Sequence, residues 1–308
     1  MASEAPSTDE AAEIDQLGPL RNWFMPEMDG PAYKTLLSYM SGSSTLGDTV
    51  NALATPIDHA YSDPPQAKKA TERSDNEKSA EGLLWNLWYS VLHTAKRNSW
   101  REPAAHDRLL ALVKALKARP DPPRPDPMPE KLQGDWIWEP GVLWSELLMI
   151  GPATRESWND VPREDYEVSI AEIHAWTNVN SFVARLTVEG IADFVIYSGW
   201  MVKMMLEVMG QKKGRVPKGT RLDAVVPPAA VWILQAGSIV RDHKAGENED
   251  RSVKSSFYEE RWVAGKKAFK EVVERDDVAE ETREIAREAF ARMEELEQKS
   301  NRHLYSQD

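Results

Sequence analysis

Two histidines stand among aromatic and amide side chains, where an imidazole could act as a general acid or base. His93 lies within "LLWNLWYSVLHTAKRNSW" at residues 83–100, and His174 lies within "EIHAWTNVN" at residues 172–180. Histidine has an ordinary pKa close to neutral, so it can exchange protons without special activation. If the protein is an enzyme, His93 and His174 are its predicted catalytic residues.

Polar side chains on the same aromatic segments could instead bind a ligand. The candidate ligand-binding residues are Asn86, Arg97, Trp176, Asn180, Trp232 and Gln235. Gln235 is informative because it stands between the apolar stretches "VWIL" and "AGSIV", where a buried amide must find hydrogen-bond partners. The groups could converge on a polar ligand, or they could form an internal hydrogen-bond network. We favour the internal network, because buried polar groups in large helical proteins usually serve structure.

Composition and motif content exclude several kinds of chemistry. The chain has no cysteine, which removes disulfides, thiolate metal ligands and cysteine nucleophiles. Its 38 basic and 50 acidic residues give a formal charge of -12, which argues against nucleic acid as the main partner. The sequence has no nucleophile elbow, no zinc-binding helix motif and no phosphate-binding Walker loop. We expect neither a metal nor another cofactor.

Hydrophobic periodicity predicts an all-α fold. The apolar residues of 83–100 share one helical arc, while Asn86, His93 and Arg97 fall on the opposite side, facing a loop or a second layer. The segment "VPPAAVWILQAGSIVRDH" is predicted to be a central helix that begins at its prolines. Twelve tryptophans are spread along the chain, which is typical of core anchors. No alternating strand pattern appears, so we predict a single domain of roughly eight to ten helices.

The chain is divided by composition into a tail, a helical domain and a short end. Residues 1–28 are acidic and polar and are predicted to be a disordered tail. The all-α domain is assigned to 29–300, with a proline-rich loop at 119–134, and 301–308 is predicted to be a C-terminal tail. In the loop, Arg119, Pro122 and Pro125 have the spacing of an SH3 ligand, which could give a weak contact with such a domain.

Two segments of the sequence indicate where in the cell the protein is found. The N-terminal "MASEAPSTDEAAEID" has neither the basic start nor the apolar centre of a signal peptide. The apolar stretch "IADFVIYSGWMVKMMLEVMG" is interrupted by Asp193, Lys203 and Glu207, which a membrane-spanning helix rarely tolerates. We expect an intracellular, cytoplasmic protein that is not secreted and does not enter a membrane, with a nuclear location left open.

Five motifs in a fixed order resemble those of a fungal family. They are "LWNLWYSVLHTAKRNSWREPAAHDRLLALVKAL", "WSELLMIGPATRESWN", "WTNVNSFVARL", "AAVWILQAG" and "RWVAGKKAFKEV". The family consists of ascomycete proteins that carry a helical domain of unknown function, and the similarity covers about residues 80–297. The resemblance implies a fungal, intracellular, all-α protein, and it implies no activity, ligand or catalytic residue.

These observations favour binding over catalysis. We expect the protein to bind a small molecule or a protein partner without transforming it. The alternative is a cofactor-free enzyme, an isomerase, cyclase or hydrolase of fungal secondary metabolism. An enclosed pocket reached by His93 or His174 would favour an enzyme or a small-molecule binder, whereas a filled interior with an exposed apolar or basic surface would favour a protein partner.

Overall fold

The structure is a computed structural model that describes residues 8–25, 30–62, 79–123, 143–162, 168–211, 216–243 and 256–305. Within these ranges the chain forms eleven α-helices and no strand, so the predicted all-α class is confirmed. The helices are α1 Thr8–Arg21, α2 Gly30–Met40, α3 Leu46–Ser62, α4 Ala80–Lys96, α5 Pro103–Lys117, α6 Ile150–Ser157, α7 Ile170–Val188, α8 Ile196–Gly210, α9 Lys218–Asp242, α10 Ser256–Val273 and α11 Glu280–Tyr305. A 3-10 turn, Trp158–Asp160, follows α6.

The chain divides into two compact units, Met1–Val161 and Pro162–Asp308. The prediction of one domain over residues 29–300 stays a prediction.

In the N-terminal unit, α4 is the central helix and packs against α2, α3, α5 and α6. It begins where the Ser79 side chain accepts a hydrogen bond from Gly82 N at 3.0 Å, a regular N-cap. Its apolar arc is buried, with Leu84 and Trp88 each 0% exposed. The Trp88 indole N–H donates to the Leu148 carbonyl at 2.7 Å, so this large ring is buried with its polar atom satisfied.

In the C-terminal unit, α9 is central and packs against α7, α8 and α11, while α10 packs against α8 and α11. The helix α7 begins at a second serine cap, where Ser169 Oγ accepts from Glu172 N at 3.2 Å. Trp176 on α7 and Trp232 on α9 are 1% and 0% exposed, as core anchors should be.

The helix α9 differs from its prediction at its start and by a kink in its interior. It begins at Lys218, well before the prolines, so the prediction that it begins at Pro227 was wrong. Pro227 and Pro228 are buried inside it, and the packing of this central helix outweighs the loss of two backbone hydrogen-bond donors. Near the far end, Ala236 has non-helical angles (φ −118°, ψ 15°), which marks a kink.

Length and composition alone would allow α9 to cross a membrane, and among the described residues it is the one helix that meets both conditions. However, 72% of its apolar window is buried within the protein. A central core helix has the same length and composition, and burial on this scale is typical of one.

The N-terminal segment that was predicted to be a disordered tail contains one described helix. Residues 8–21 form α1, while 1–7 and 26–28 lie outside the described residues. Ile14 and Leu17 are 1% and 8% exposed, and Phe24 after the helix is 3% exposed. Three buried apolar side chains stabilise a segment whose acidic composition is otherwise typical of a solvated tail.

The two other predicted irregular segments are described only in part. Of the proline-rich loop at 119–134, the structure describes residues 119–123, so Pro125 lies outside the described residues. Arg119 pairs with the Asp58 carboxylate, at 2.9 Å from Nε and 2.6 Å from one terminal nitrogen. At the C-terminus, α11 continues to Tyr305, so most of the predicted tail at 301–308 is helical.

Candidate binding site

Five side chains of the N-terminal unit meet where α1 lies over α4. We call them the Asp15 cluster; its members are Asp15, Phe24, Tyr33, His93 and Arg97. The Tyr33 hydroxyl donates to Asp15 Oδ1 at 2.6 Å. The same oxygen lies 2.9 Å from His93 Nε2 and 3.0 Å from Arg97 Nε. Hydrogen bonds that involve a charged partner are stronger than neutral ones, so a single carboxylate attaches α1 to both α2 and α4.

A tight turn after α1 brings Phe24 onto the cluster. Asn22 adopts a left-handed conformation (φ 58°), and Trp23 N donates to the Gly18 carbonyl at 2.8 Å, which is the pattern of a Schellman motif. A Cβ at Gly18 would lie 2.9 Å from the Phe24 carbonyl oxygen, closer than real Cβ atoms approach. Glycine therefore allows the chain to fold back closely enough for Phe24 to reach His93.

His93 is enclosed by aromatic rings. Its side chain is 1% exposed and stacks on Phe24, with ring centroids 4.2 Å apart and an interplanar angle of 16°. Tyr33 meets the imidazole edge-on at 5.4 Å. Because Asp15 accepts from Nε2, we assign the ring hydrogen to Nε2 and a lone pair to Nδ1. No described residue forms a hydrogen bond with His93 Nδ1.

Burial and hydrogen bonding set the charges in the cluster. Burial lowers the pKa of His93 to about 4, against the opposing effect of the hydrogen bond with Asp15. Burial also opposes ionisation of Asp15, but the hydrogen bonds from His93 and Tyr33, together with the charge of Arg97, lower the pKa of this carboxyl. Near neutral pH the cluster therefore holds a neutral imidazole between an ionised carboxylate and a guanidinium.

We expect His93 to make the stability of the protein depend on mildly acidic pH. Its folded-state pKa of about 4 lies below the ordinary 6.5, so the unfolded chain takes up the proton first as pH falls. The contribution of His93 to the free energy of unfolding is complete above about pH 6.5. On the order of 3 kcal/mol of it is lost as the pH falls toward 4. Chemical unfolding of wild type and His93→Gln at several pH values measures it. Identical pH dependence in the two proteins would contradict the prediction.

The last turn of α4 carries a second covered cation beside the cluster. Lys96 is 3% exposed, and its ammonium lies 2.5 Å from Asp160 Oδ2 and 4.4 Å from the centroid of Trp23. Burial raises the pKa of Asp160 even though Lys96 opposes the shift. The end of α4, where cations are favoured by the helix dipole, is thus covered by acidic and aromatic residues.

The amide candidates of the C-terminal unit form a hydrogen-bonded chain. The Trp232 indole N–H donates to Asn180 Oδ1 at 2.9 Å, and Asn180 Nδ2 donates to the Trp176 carbonyl at 2.9 Å. All three residues are at most 1% exposed. This chain connects α7 with α9 and satisfies the buried indole, as the internal-network hypothesis expects.

Two other candidates lie at half-buried positions. Gln235 lies one turn beyond Trp232 and directly before the kink at Ala236. We expected its amide to be buried, and this was wrong, because the face of α9 around Gln235 is partly open to solvent. Asn86 is half-buried on α4, two turns before His93.

The second predicted catalytic histidine lies near the surface of the C-terminal unit. The His174 side chain is 30% exposed, and its Nε2 lies 3.2 Å from Glu281 Oε2 in the first turn of α11. The pair bridges α7 and α11. An exposed pair of this kind contributes little to stability.

Sequence patterns missed the centre of the Asp15 cluster. His93 and Arg97 were candidates, whereas Asp15, Phe24 and Tyr33 were not. The available signal was the spacing of Ile14 and Leu17, a single helical turn within an acidic segment. Within the described ranges, the Asp15 cluster included, no group of three or more potential ligand side chains is arranged to hold a metal ion.

Comparison with known proteins identifies the family of the chain but indicates no activity. No curated protein and no solved structure is significantly similar to the chain. The chain matches DUF3632, a family described as protein of unknown function, over residues 88–280. This match covers more than half of the sequence and includes α4, the central helix of the N-terminal unit, from Trp88 onward. The chain therefore belongs to the DUF3632 family.

Proposed function

We propose that the protein binds a small molecule without transforming it, and that the ligand occupies the Asp15 cluster. The observation that carries the proposal is that two hydrogen-bond donors, Tyr33 and His93, and the Arg97 guanidinium at the end of α4 converge on one carboxylate oxygen beneath aromatic rings. Ligand sites commonly combine a largely apolar wall with a few converging polar groups. A protein partner is the second possibility within the same function.

The surroundings of His93 favour binding over catalysis. A general base must reach the proton that it removes, and it works best when its pKa is near the working pH. The His93 ring is 1% exposed and lies beneath Phe24, and burial lowers its pKa to about 4. In this arrangement the imidazole serves as a neutral hydrogen-bond donor.

One feature favours the alternative, a cofactor-free isomerase, cyclase or hydrolase. Asp15 holds Nε2 of His93, and the Nδ1 lone pair has no described partner. A carboxylate that orients an imidazole in this way is a common part of acid–base machinery. In an enzyme of this kind, displacement of Phe24 would have to precede each turnover.

Native mass spectrometry of the full chain, purified from its own host, tests the proposed function. We expect a fraction of the protein to carry a small molecule of defined mass. That compound should be recovered unchanged after incubation with excess protein. Conversion to a second compound by wild type and not by His93→Gln would favour the enzyme. Protein without any added mass, together with no binding of the host's extracted metabolites, would contradict the proposal.

The setting of this activity is part of the same proposal. We place the protein in the cytoplasm of an ascomycete fungus, because the motif resemblance implies that source and a chain without cysteine is compatible with a reducing compartment. We expect neither nucleic acid nor membrane as its partner. A contact with an SH3 domain through Arg119 would have to displace Asp58 from the guanidinium.

A further inference from the structure

The geometry points to a carboxylate-binding site formed by Tyr33, His93 and Arg97, which Asp15 fills from within the chain. The external ligand that fits it is a small carboxylic acid carrying an aromatic ring. This inference rests on the proposed binding function and names the ligand class. Without a ligand, Asp15 and Phe24 of the α1 segment fill the site, and a bound ligand displaces them.

The polar part of the site consists of three side chains that can donate to a carboxylate. Tyr33 Oη, His93 Nε2 and Arg97 Nε lie 2.6 to 3.0 Å from Asp15 Oδ1, and none of these donors belongs to α1. Arg97 stays charged at all working pH values, so the site retains its preference for an anion when Asp15 leaves. Guanidinium, phenol and imidazole N–H groups together suit a carboxylate oxygen.

The apolar part of the site is the stacked ring. Phe24 lies parallel to the His93 imidazole at 4.2 Å and meets Tyr33 edge-on at 4.9 Å. Asp15 and Phe24 belong to the same short segment, so residues 15–24 present a carboxylate and an aromatic ring side by side. A small aromatic acid offers the same two groups in one molecule and could replace both contacts.

An unsatisfied atom supplies an independent indication of a ligand. His93 Nδ1 is buried, and no described residue donates to it. Leaving a buried polar atom without a partner costs free energy, so each such atom in a folded protein needs an explanation. A ligand that extends past the imidazole ring and carries a hydroxyl or N–H group on the side away from Asp15 would satisfy Nδ1.

The helix α1, which covers the Asp15 cluster, has features of an element that can detach from the rest of the N-terminal unit. The helix α1 contains Pro19, which removes one backbone hydrogen bond, and it exposes Leu20 at 76%. Its buried apolar contribution is limited to Ile14 and Leu17, with Phe24 following. Elements with few buried contacts open at lower free energy than the core. An internal occupant also weakens the apparent affinity of an external one, because only the open fraction binds.

Chemical rescue of Asp15→Ala tests the site directly. Removing the carboxylate should leave Tyr33 and His93 without their acceptor and Arg97 with only the Ala11 carbonyl, and so lower the unfolding temperature of the full-length protein. Sodium acetate, and more strongly sodium phenylacetate, should then raise that temperature by at least about 3 °C above an equal concentration of sodium chloride. Wild type and Glu13→Ala, which removes an exposed carboxylate from the same helix, should show no such difference.

Two further variants make the outcome decisive. Asp15→Ala combined with Arg97→Gln should lose the acetate response, and phenylacetamide should not replace phenylacetate. If Asp15→Ala does not fold, Asp15→Asn takes its place, and it should bind phenylacetate at least about ten-fold more tightly than Glu13→Ala does. Tryptic cleavage after Arg21, promoted by phenylacetate, reports the release of α1.

Equal responses to acetate and chloride, or equal phenylacetate affinity in Asp15→Asn and Glu13→Ala, would overturn the inference. This failure differs from failure of the proposed function. A host-derived small molecule on the purified protein would keep the binding function even if the carboxylate site were absent. A successful rescue without any host-derived ligand would keep the site and contradict the function.

Discussion

Replacing Trp232 by alanine should lower the free energy of unfolding of the C-terminal unit by about 3–5 kcal/mol. Trp232 is 0% exposed on the central helix α9, so the variant loses the burial of a large ring and leaves a cavity. It also removes the donor from Asn180 Oδ1, which lies 2.9 Å from the indole nitrogen. An oxygen left buried without a donor adds its own penalty. Denaturant unfolding monitored by circular dichroism measures the loss.

Trp200→Ala is the matched control for this change. Trp200 lies on α8 in the same unit but is 39% exposed, so its removal should cost much less than that of Trp232. Asn180→Ala should cost about 1–3 kcal/mol, because it leaves the Trp232 N–H unsatisfied. The double variant should lose less than the two single losses added together. Equal losses for Trp232→Ala and Trp200→Ala would contradict the assignment of Trp232 as a core anchor.

Gly219→Ala should destabilise the same unit by about 2–4 kcal/mol, although alanine is the better helix former. A Cβ at Gly219 would lie 1.6 Å from the backbone oxygen of Asp277, in the connection between α10 and α11. Backbone atoms cannot rotate away as a side chain can, so the connection must move. That movement would also strain the hydrogen bond from Ala279 N to Asp223 at 2.9 Å. Thermal and denaturant unfolding of the variant check the effect.

Gly151→Ala is a close control, because Gly151 is also the second residue of its helix, α6. A Cβ there would meet no atom within 4 Å. Stability should therefore stay unchanged or rise by up to about 1 kcal/mol. If both glycine variants change the free energy of unfolding by the same amount, the close approach of Asp277 to α9 is contradicted.

The Asp15 cluster has two possible roles, one in stability and one in ligand binding. One explanation is that the neutral imidazole, the carboxylate and the guanidinium under two aromatic rings serve only to attach α1. The unsatisfied Nδ1 of His93 and the chemical likeness of residues 15–24 to an aromatic acid favour a replaceable occupant. The rescue experiment separates these two explanations, since only the second expects a response specific to carboxylates.

The sequence by itself determined the all-α class, the apolar arc of α4 and the absence of cysteine chemistry. Helical periodicity is a property of neighbouring residues, so it can be recognised without knowing the fold. The same periodicity separated His93 and Arg97 from the apolar arc, which made them candidates.

Only the tertiary structure decided which groups meet. Asp15 is 78 residues from His93, and Trp232 is 52 residues from Asn180, so no local pattern connects them. An aspartate within an acidic segment suggests solvent exposure until an arginine, a histidine and a tyrosine from other helices surround it. Docking of helix faces places these groups together, and the free energy of that docking depends on contacts between residues distant in sequence.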